Sequence, residues 1–156
     1  MEERGTYFLY PASLYADRVP TTVSTILGSC VAVCLFDKQL QIGGINHYML
    51  PLWNGQGLAS PKYGSIAIEK LIEKLQTYGS QPKNLIAKVF GGGEVIETGA
   101  HFHIGERNIE VAMTMLQERG ITVVAKSVGG KLGRKLEFDT DTGVVRQRYI
   151  QKSITQ

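Results

Sequence analysis

Only two stretches of this chain place apolar residues at helical spacing, and that limits the fold more than any other feature. In residues 61–78, Ala67, Ile68, Leu71, Ile72, Leu75 and Tyr78 make one stripe. Ser60 stands ready to cap it, Pro61 suits its first position, and Gly79 suits a left-handed stop. In residues 106–119, Ile109, Ala112, Met113 and Leu116 line one face, and Gly120 ends it. Around these helices the patterned sequence reads as strand: residues 22–27, 30–37, 41–50, 84–90, 121–128, 134–138 and 144–150. The first twenty residues read as a strand and a loop. Gly43 and Gly44 predict a bulge in 41–50, and Gly91, Gly92 and Gly93 cut off 84–90 in a turn. The turn-rich "DTDTG" joins the last two strands.

The order β-β-β-α-β-α-β-β-β lacks the strict alternation of a doubly wound fold. It predicts an α+β layered sandwich of about seven mostly antiparallel strands and two main helices. A chain of 156 residues has material for one full core, so a single domain over residues 1–156 is expected.

The net charge is only +3 and the basic residues are dispersed, so no dedicated nucleic-acid surface is expected. The one local basic patch, Lys126, Lys131, Arg134 and Lys135, reads as a solvated loop. "MEERGTYFLYPASLYADRVP" lacks the pattern of a secretory signal, and no apolar run reaches the roughly 18 residues of a membrane span. Cys30 and Cys34 lie in one strand-like run, whose four residues span about 13 Å. That exceeds the roughly 7 Å Cα limit for a disulfide. Two free thiols fit a reducing cytoplasm.

"TILGSCVAVCLFDKQLQIGGINHYML" poses the chemical question: Cys30 is either a buried small hydrophobe or a nucleophile with His47 as its base. If residues 30–37 and 41–50 form a hairpin with a two-residue turn at Lys38-Gln39, Cys30 stands opposite His47. Opposed Cβ atoms lie about 4.5–5.5 Å apart. A four-residue turn makes the two diagonal neighbours, roughly 7–8 Å apart on the same face. A three-residue turn separates them to opposite faces unless Gly43 or Gly44 bulges. A neighbouring imidazole that takes the thiol proton would hold the thiolate ready as an ion pair. The Gly28-Ser29 step leaves room for substrate. The backbone of Ser29 and Cys30, through the Cys30 N–H and one from an adjacent loop, suits an oxyanion. Ser24 and Thr25 are the nearby hydroxyls that can orient the base. Cys34, among Val33, Leu35 and Phe36, reads as core.

"LGSCVAVCLFD", "GGINHYMLP", "KYGSIAIEKLIEKL", "AKVFGGGEVI", "IGERNIE" and "GGKLGRKLEFDTDTGV" occur in the order found in the CheD family. The chain resembles these chemoreceptor glutamine deamidases over about residues 20–148. The resemblance implies a cytoplasmic protein-glutamine glutaminase of chemotaxis, converting receptor glutamines to glutamates with release of ammonia. It implies Cys30 as nucleophile and His47 as base. The family's third member, a threonine six residues before the cysteine, falls by gap-free counting on Ser24, with Thr25 one residue later. Methyl-accepting chemotaxis receptors are the implied substrate, and a CheC-type phosphatase of the response regulator the implied partner. No cofactor and no metal are implied, and a fold similar to deamidating bacterial toxins is. Some members also demethylate receptor methyl esters. A binding module that regulates a CheC-type phosphatase is the alternative, with Ser24 in place of threonine as its only hint. A cysteine protease fits the dyad but not the family.

"GGGEVIETG" matches no phosphate-loop spacing and reads as a tight turn, which the resemblance implies lies near the active-site cleft. His101 and His103 lack partner ligands at zinc spacing and read as loop residues. Asn108, in "IGERN", reads as a possible helix cap. Trp53 and Leu58, in the loop after His47, are candidates for touching a receptor helix.

Overall fold

The strands build two sheets, and helices cover only one of them. The computed structural model describes residues 4–95 and 103–150. In chain order these form β1 (Gly5–Phe8), β2 (Ser13–Asp17), β3 (Thr21–Leu27), β4 (Val31–Asp37), β5 (Ile42–His47), α1 (Gly64–Thr77), β6 (Leu85–Gly91), α2 (Ile104–Glu118), β7 (Thr122–Val128), β8 (Gly133–Asp139) and β9 (Val145–Ile150). One sheet runs β1-β3-β8-β9 and the other β2-β5-β4-β6-β7. Five of the strand pairs are antiparallel. The pairs β1–β3 and β6–β7 are parallel. The expected α+β sandwich is present as three layers: small sheet, large sheet, helices.

Side-chain alternation explains the layering. β4 is the middle strand of the middle layer and is buried along its whole length. Val31, Val33 and Leu35 join the core under the helices, while Ala32 and Cys34 join the core between the sheets. β3 and β8 instead alternate buried and open positions, because the far side of the small sheet meets solvent. The helices bury Ala67, Ile68, Leu71, Ile72 and Leu75 from α1 and Val111, Ala112 and Leu116 from α2.

Several boundaries differ from expectation. The first twenty residues hold two strands, one in each sheet, so the described strands number nine rather than about seven. β5 stops at His47 and α1 starts at Gly64, for one shared reason. Met49 and Leu50 donate their N–H groups to the Lys62 carbonyl, and Gly64 donates to that of Leu50. Residues 62–64 are thus held against the segment leaving β5 and cannot begin a helix. Ser60 therefore does not cap α1; Tyr63 occupies that position without a side-chain bond, and Ser60 Oγ accepts from the Lys62 N–H instead. Gly79 does provide the left-handed stop, at φ +101°. Gly43 and Gly44 form no bulge, since the β4–β5 register runs through both unshifted. They permit close layer packing: a Cβ on Gly44 would lie 2.7 Å from Leu71 Cδ1, and one on Gly43 2.9 Å from Phe138 Cζ.

Candidate active site

The hairpin register decides where Cys30 and His47 meet. Asp37 pairs with Ile42, so residues 38–41 form a four-residue connection rather than the two-residue turn. The Asp37 carboxylate stabilises this longer loop by accepting from the N–H groups of Gln39 and Leu40. The same register carries Cys34 to Ile45 and Val31 to Tyr48. His47 is then level with Ala32, and Cys30 is one residue beyond Val31. The two are diagonal neighbours, on the face that looks toward the small sheet, where Cys30 packs against the inter-sheet core. Cys30 is half-buried and free. Val33 donates its N–H to the Asn46 side chain rather than to a backbone carbonyl. The ladder is therefore interrupted where His47 sits.

The small sheet supplies the group that orients His47. Thr25 Oγ1 lies 2.7 Å from His47 Nδ1. Thr25 Oγ1 also lies 2.7 Å from the Leu9 carbonyl, which can only accept. A hydroxyl has one proton, and the Leu9 carbonyl takes it. Nδ1 must then carry its own proton and donate to Thr25 Oγ1. The tautomer is thereby fixed, with the lone pair on Nε2. Nε2 is buried and has no hydrogen-bond partner among the described residues.

Burial sets the resting ionisation. Desolvation pushes the His47 imidazole down to about 4 and raises the Cys30 thiol above its ordinary range. Both shifts favour the neutral forms, a neutral imidazole beside a neutral thiol, whereas the sequence reading expects a thiolate–imidazolium pair. Cys34 is fully buried and its thiol is pushed up to a range where it never ionises in water. It is core, as expected.

The turn carrying Cys30 is held by three hydrogen bonds, two from the glycine run and one from α2. Gly92 donates its N–H to the Cys30 carbonyl and Gly93 to that of Gly28. This needs the positive φ of Gly91 and Gly92, and a Cβ on Gly91 would lie 2.3 Å from the Cys30 carbonyl oxygen. These two glycine N–H groups are committed to carbonyls. From α2, Asn108 Nδ2 donates to the carbonyls of both Ser29 and Met49. Asn108 does not cap the helix as expected; it is fully buried inside it. The sequence signal for its role was a polar residue at core spacing with Val111 and Ala112. Leu9 had no such signal, because its backbone does the work.

The other candidates sort by position. Ser24 belongs to the opposite face of β3 from Thr25, paired with Phe8 and Glu137, and does not reach His47. The gap-free count therefore fails by one residue: strand alternation brings only the odd-numbered side chains inward. Arg134 corrects the reading of its patch as a solvated loop. It is 2% exposed, and its guanidinium donates to the Gly129 and Gly91 carbonyls and to Ser127 Oγ. Trp53 is half-buried, with Nε1 donating to the Gln56 carbonyl, whereas Leu58 is 86% exposed. His103 precedes α2 with φ +44° and Nδ1 3.8 Å from Glu106, while His101 and residues 96–99 of the glycine motif lie outside the described residues. Among the described residues no cluster of His, Cys, Asp and Glu could hold a metal ion, and no helix is long and apolar enough to cross a membrane.

A half-buried thiol, an imidazole of fixed tautomer on the same sheet face, and a hydroxyl behind that imidazole make an arrangement on an α+β sandwich that can support cysteine-dependent acyl transfer. The comparisons with known proteins name the group. The family model described as "CheD chemotactic sensory transduction" matches residues 49–149. A "Probable chemoreceptor glutamine deamidase CheD" of Trichlorobacter lovleyi is 54% identical over 140 residues, covering 89% of this chain and 87% of the relative. Proteins of the same description from Sulfurimonas denitrificans and Rhodospirillum rubrum are 45% and 42% identical, covering 94% and 95% of this chain and 95% and 84% of the relatives. This chain belongs to the CheD family.

Proposed function

We propose that this chain is a chemoreceptor glutamine deamidase in which Cys30 is the nucleophile, His47 the general base and acid, and Thr25 the residue that orients His47. The single observation that carries the residue roles is the chain of bonds from the Leu9 carbonyl through Thr25 to His47 Nδ1. It leaves Nε2 basic on the face that Cys30 shares.

As His47 Nε2 takes the thiol proton, the sulfur forms a bond to the glutamine side-chain amide carbon. The carbonyl π pair moves onto oxygen, where the Cys30 N–H holds it. The oxyanion collapses, the C–N bond breaks, and Nε2–H returns its proton to departing ammonia. Water then gives a proton to Nε2 and its oxygen attacks the thioester carbon. The C–S bond breaks and the sulfur recovers a proton from the imidazolium. The balance is glutamine plus water giving glutamate and ammonia. Every step is a proton transfer or acyl transfer, so the site calls for no metal or nucleotide.

Substrate is a receptor segment presenting a glutamine. Leu52, at 61% exposure, and Leu58 extend from the loop after His47 and suit contact with a receptor helix. We read the chain as one deamidase domain of the cytoplasm, where its two thiols stay free. A CheC-type phosphatase is the proposed partner on the strength of family membership. The alternative of a non-catalytic binding module loses its only hint, because Thr25 supplies the threonine that Ser24 had seemed to replace.

The test is mass spectrometry of a receptor cytoplasmic fragment incubated with the protein and with Cys30→Ala. The expected result is amide-to-acid conversion at particular glutamines, with ammonia release, by the wild type alone. Equal conversion by Cys30→Ala would overturn the reading, and peptide fragments in place of deamidation would make the protein a protease.

A further inference from the structure

We infer that Asn108 is a positioning residue that aims the Cys30 N–H at the reacting carbonyl, by holding the carbonyl on the other side of the same peptide unit. The inference rests on the proposed role of Cys30 and goes beyond it, since it assigns a task to a helix residue that never touches substrate.

A peptide unit is planar, and none in this protein is cis among the described residues. In a trans unit the C=O and N–H point in opposite directions. Asn108 Nδ2 lies 3.0 Å from the Ser29 carbonyl oxygen, so that carbonyl points inward to α2. The N–H at the other end of the Ser29–Cys30 unit is the nucleophile's own, and it points away from the helix. It donates to no other residue among the described ones. It is directed to the side of the turn where a carbonyl oxygen bound beside the Cys30 side chain would lie. That is the place where an oxyanion forms after sulfur attack. A hydrogen bond to the C=O also polarises the unit and makes its N–H a stronger donor.

The amide of Asn108 has only one possible sense. Its second donor lies 3.0 Å from the Met49 carbonyl, so both acceptors face Nδ2, and turning the amide over would put Oδ1 against two oxygens. Oδ1 is buried without a partner, a penalty retained on the far side of the group. Asn108 itself is fixed from behind by the Tyr48 hydroxyl, which donates to its main-chain carbonyl at 2.5 Å. Tyr48 adjoins His47, and Met49 follows. One side chain of α2 thereby sets the nucleophile turn against the strand end that carries the base.

Two reactions of the same sulfur separate this role from a merely structural one. Deamidation needs both an activated thiol and a held oxyanion. Alkylation by iodoacetamide needs the thiol only, because displacement of iodide makes no oxyanion. With the full-length protein and the receptor fragment, Asn108→Ala is expected to lower kcat for ammonia release about 100-fold, as loss of an oxyanion donor does. KM and the Cys30 alkylation rate are each expected to stay within about threefold, well short of that loss. Asn108→Asp preserves the shape but sets a carboxylate against two carbonyls. Its kcat is expected to fall equally at neutral pH and to recover in part in acid, where the protonated carboxyl donates once.

A folded variant with wild-type kcat would overturn the inference. So would a parallel fall in alkylation and deamidation. Should both variants fail to fold, the wild type carries the test: capture of Cys30 by a peptide bearing glutamate semialdehyde is expected to move the Cys30 amide proton downfield, and an unmoved resonance overturns the inference. Failure of the wild type to deamidate at all would instead strike the proposed function.

Discussion

A histidine held neutral by burial gives a pH dependence unlike that of a preformed thiolate–imidazolium pair. With His47 pushed down to about 4, the proposed base is neutral throughout the neutral range. The expected kcat/KM profile is therefore level from neutrality downward and falls only on an acid limb near pH 4, measured by ammonia release on stable substrate fragments. An acid limb near 6.5 would mean an exposed, ordinary imidazole. Stability follows the same group. His47 binds its proton more readily in the unfolded chain than in the folded one, so unfolding takes up protons between pH 6.5 and 4. The contribution is complete above 6.5 and is lost as pH falls toward 4. Its size is about 3 kcal/mol at most, read as a falling urea midpoint. Thr25→Val removes the acceptor for Nδ1 and strands the Leu9 carbonyl. A stability loss of about 1–3 kcal/mol and a kcat loss of about 100-fold are expected, while Ser24→Ala leaves the rate unchanged in the same assay.

Among elements, the turn after β6 has the least freedom to change. Gly91 combines φ +105° with a Cβ site 2.3 Å from the Cys30 carbonyl oxygen. Gly91→Ala is expected to lower stability by about 2–4 kcal/mol and to displace Cys30, which chemical denaturation and alkylation rate measure separately. The glycine run was legible in sequence as a turn, because glycine has few other reasons to occur in threes. Its hold on Cys30 was not, since backbone-to-backbone bonds leave no mark on residue type. The helix faces and most strands were legible for the converse reason: burial selects apolar side chains with a fixed period. The start of α1 was lost because a tertiary bond, Gly64 N–H to the Leu50 carbonyl, displaces a local capping preference. The diagonal relation of Cys30 and His47 was one of the open registers. The Asp37 carboxylate, a residue passed over in the turn, selected it.

The molecule as a whole depends on ties between its two sheets. Arg134 stands on β8 in the small sheet and donates to Gly91 and Ser127, on β6 and β7 of the large one. Its aromatic neighbour Tyr149 stacks 5.2 Å from the guanidinium. Arg134→Met removes these bonds from a buried position while Gly91 keeps the Gly129 N–H and Ser127 keeps Tyr149, with an expected loss of about 1–3 kcal/mol in denaturant unfolding. Arg134→Lys is expected to recover little, since a single ammonium cannot spread over the same acceptors. The tie stands at the end of the sandwich where the nucleophile turn lies, so activity in Arg134→Met is expected to fall before the fold is lost.

Thr25 belongs to one sheet and His47 to the other. The bond between them exists only when the two layers have closed, and Leu9 reaches it from the short passage where the chain crosses from β1 to β2. A polypeptide still emerging from the ribosome, or one partly unwound, has the sulfur but not the aligned imidazole. The proposed alignment of the imidazole is thus a property of the docked sandwich and of neither sheet alone.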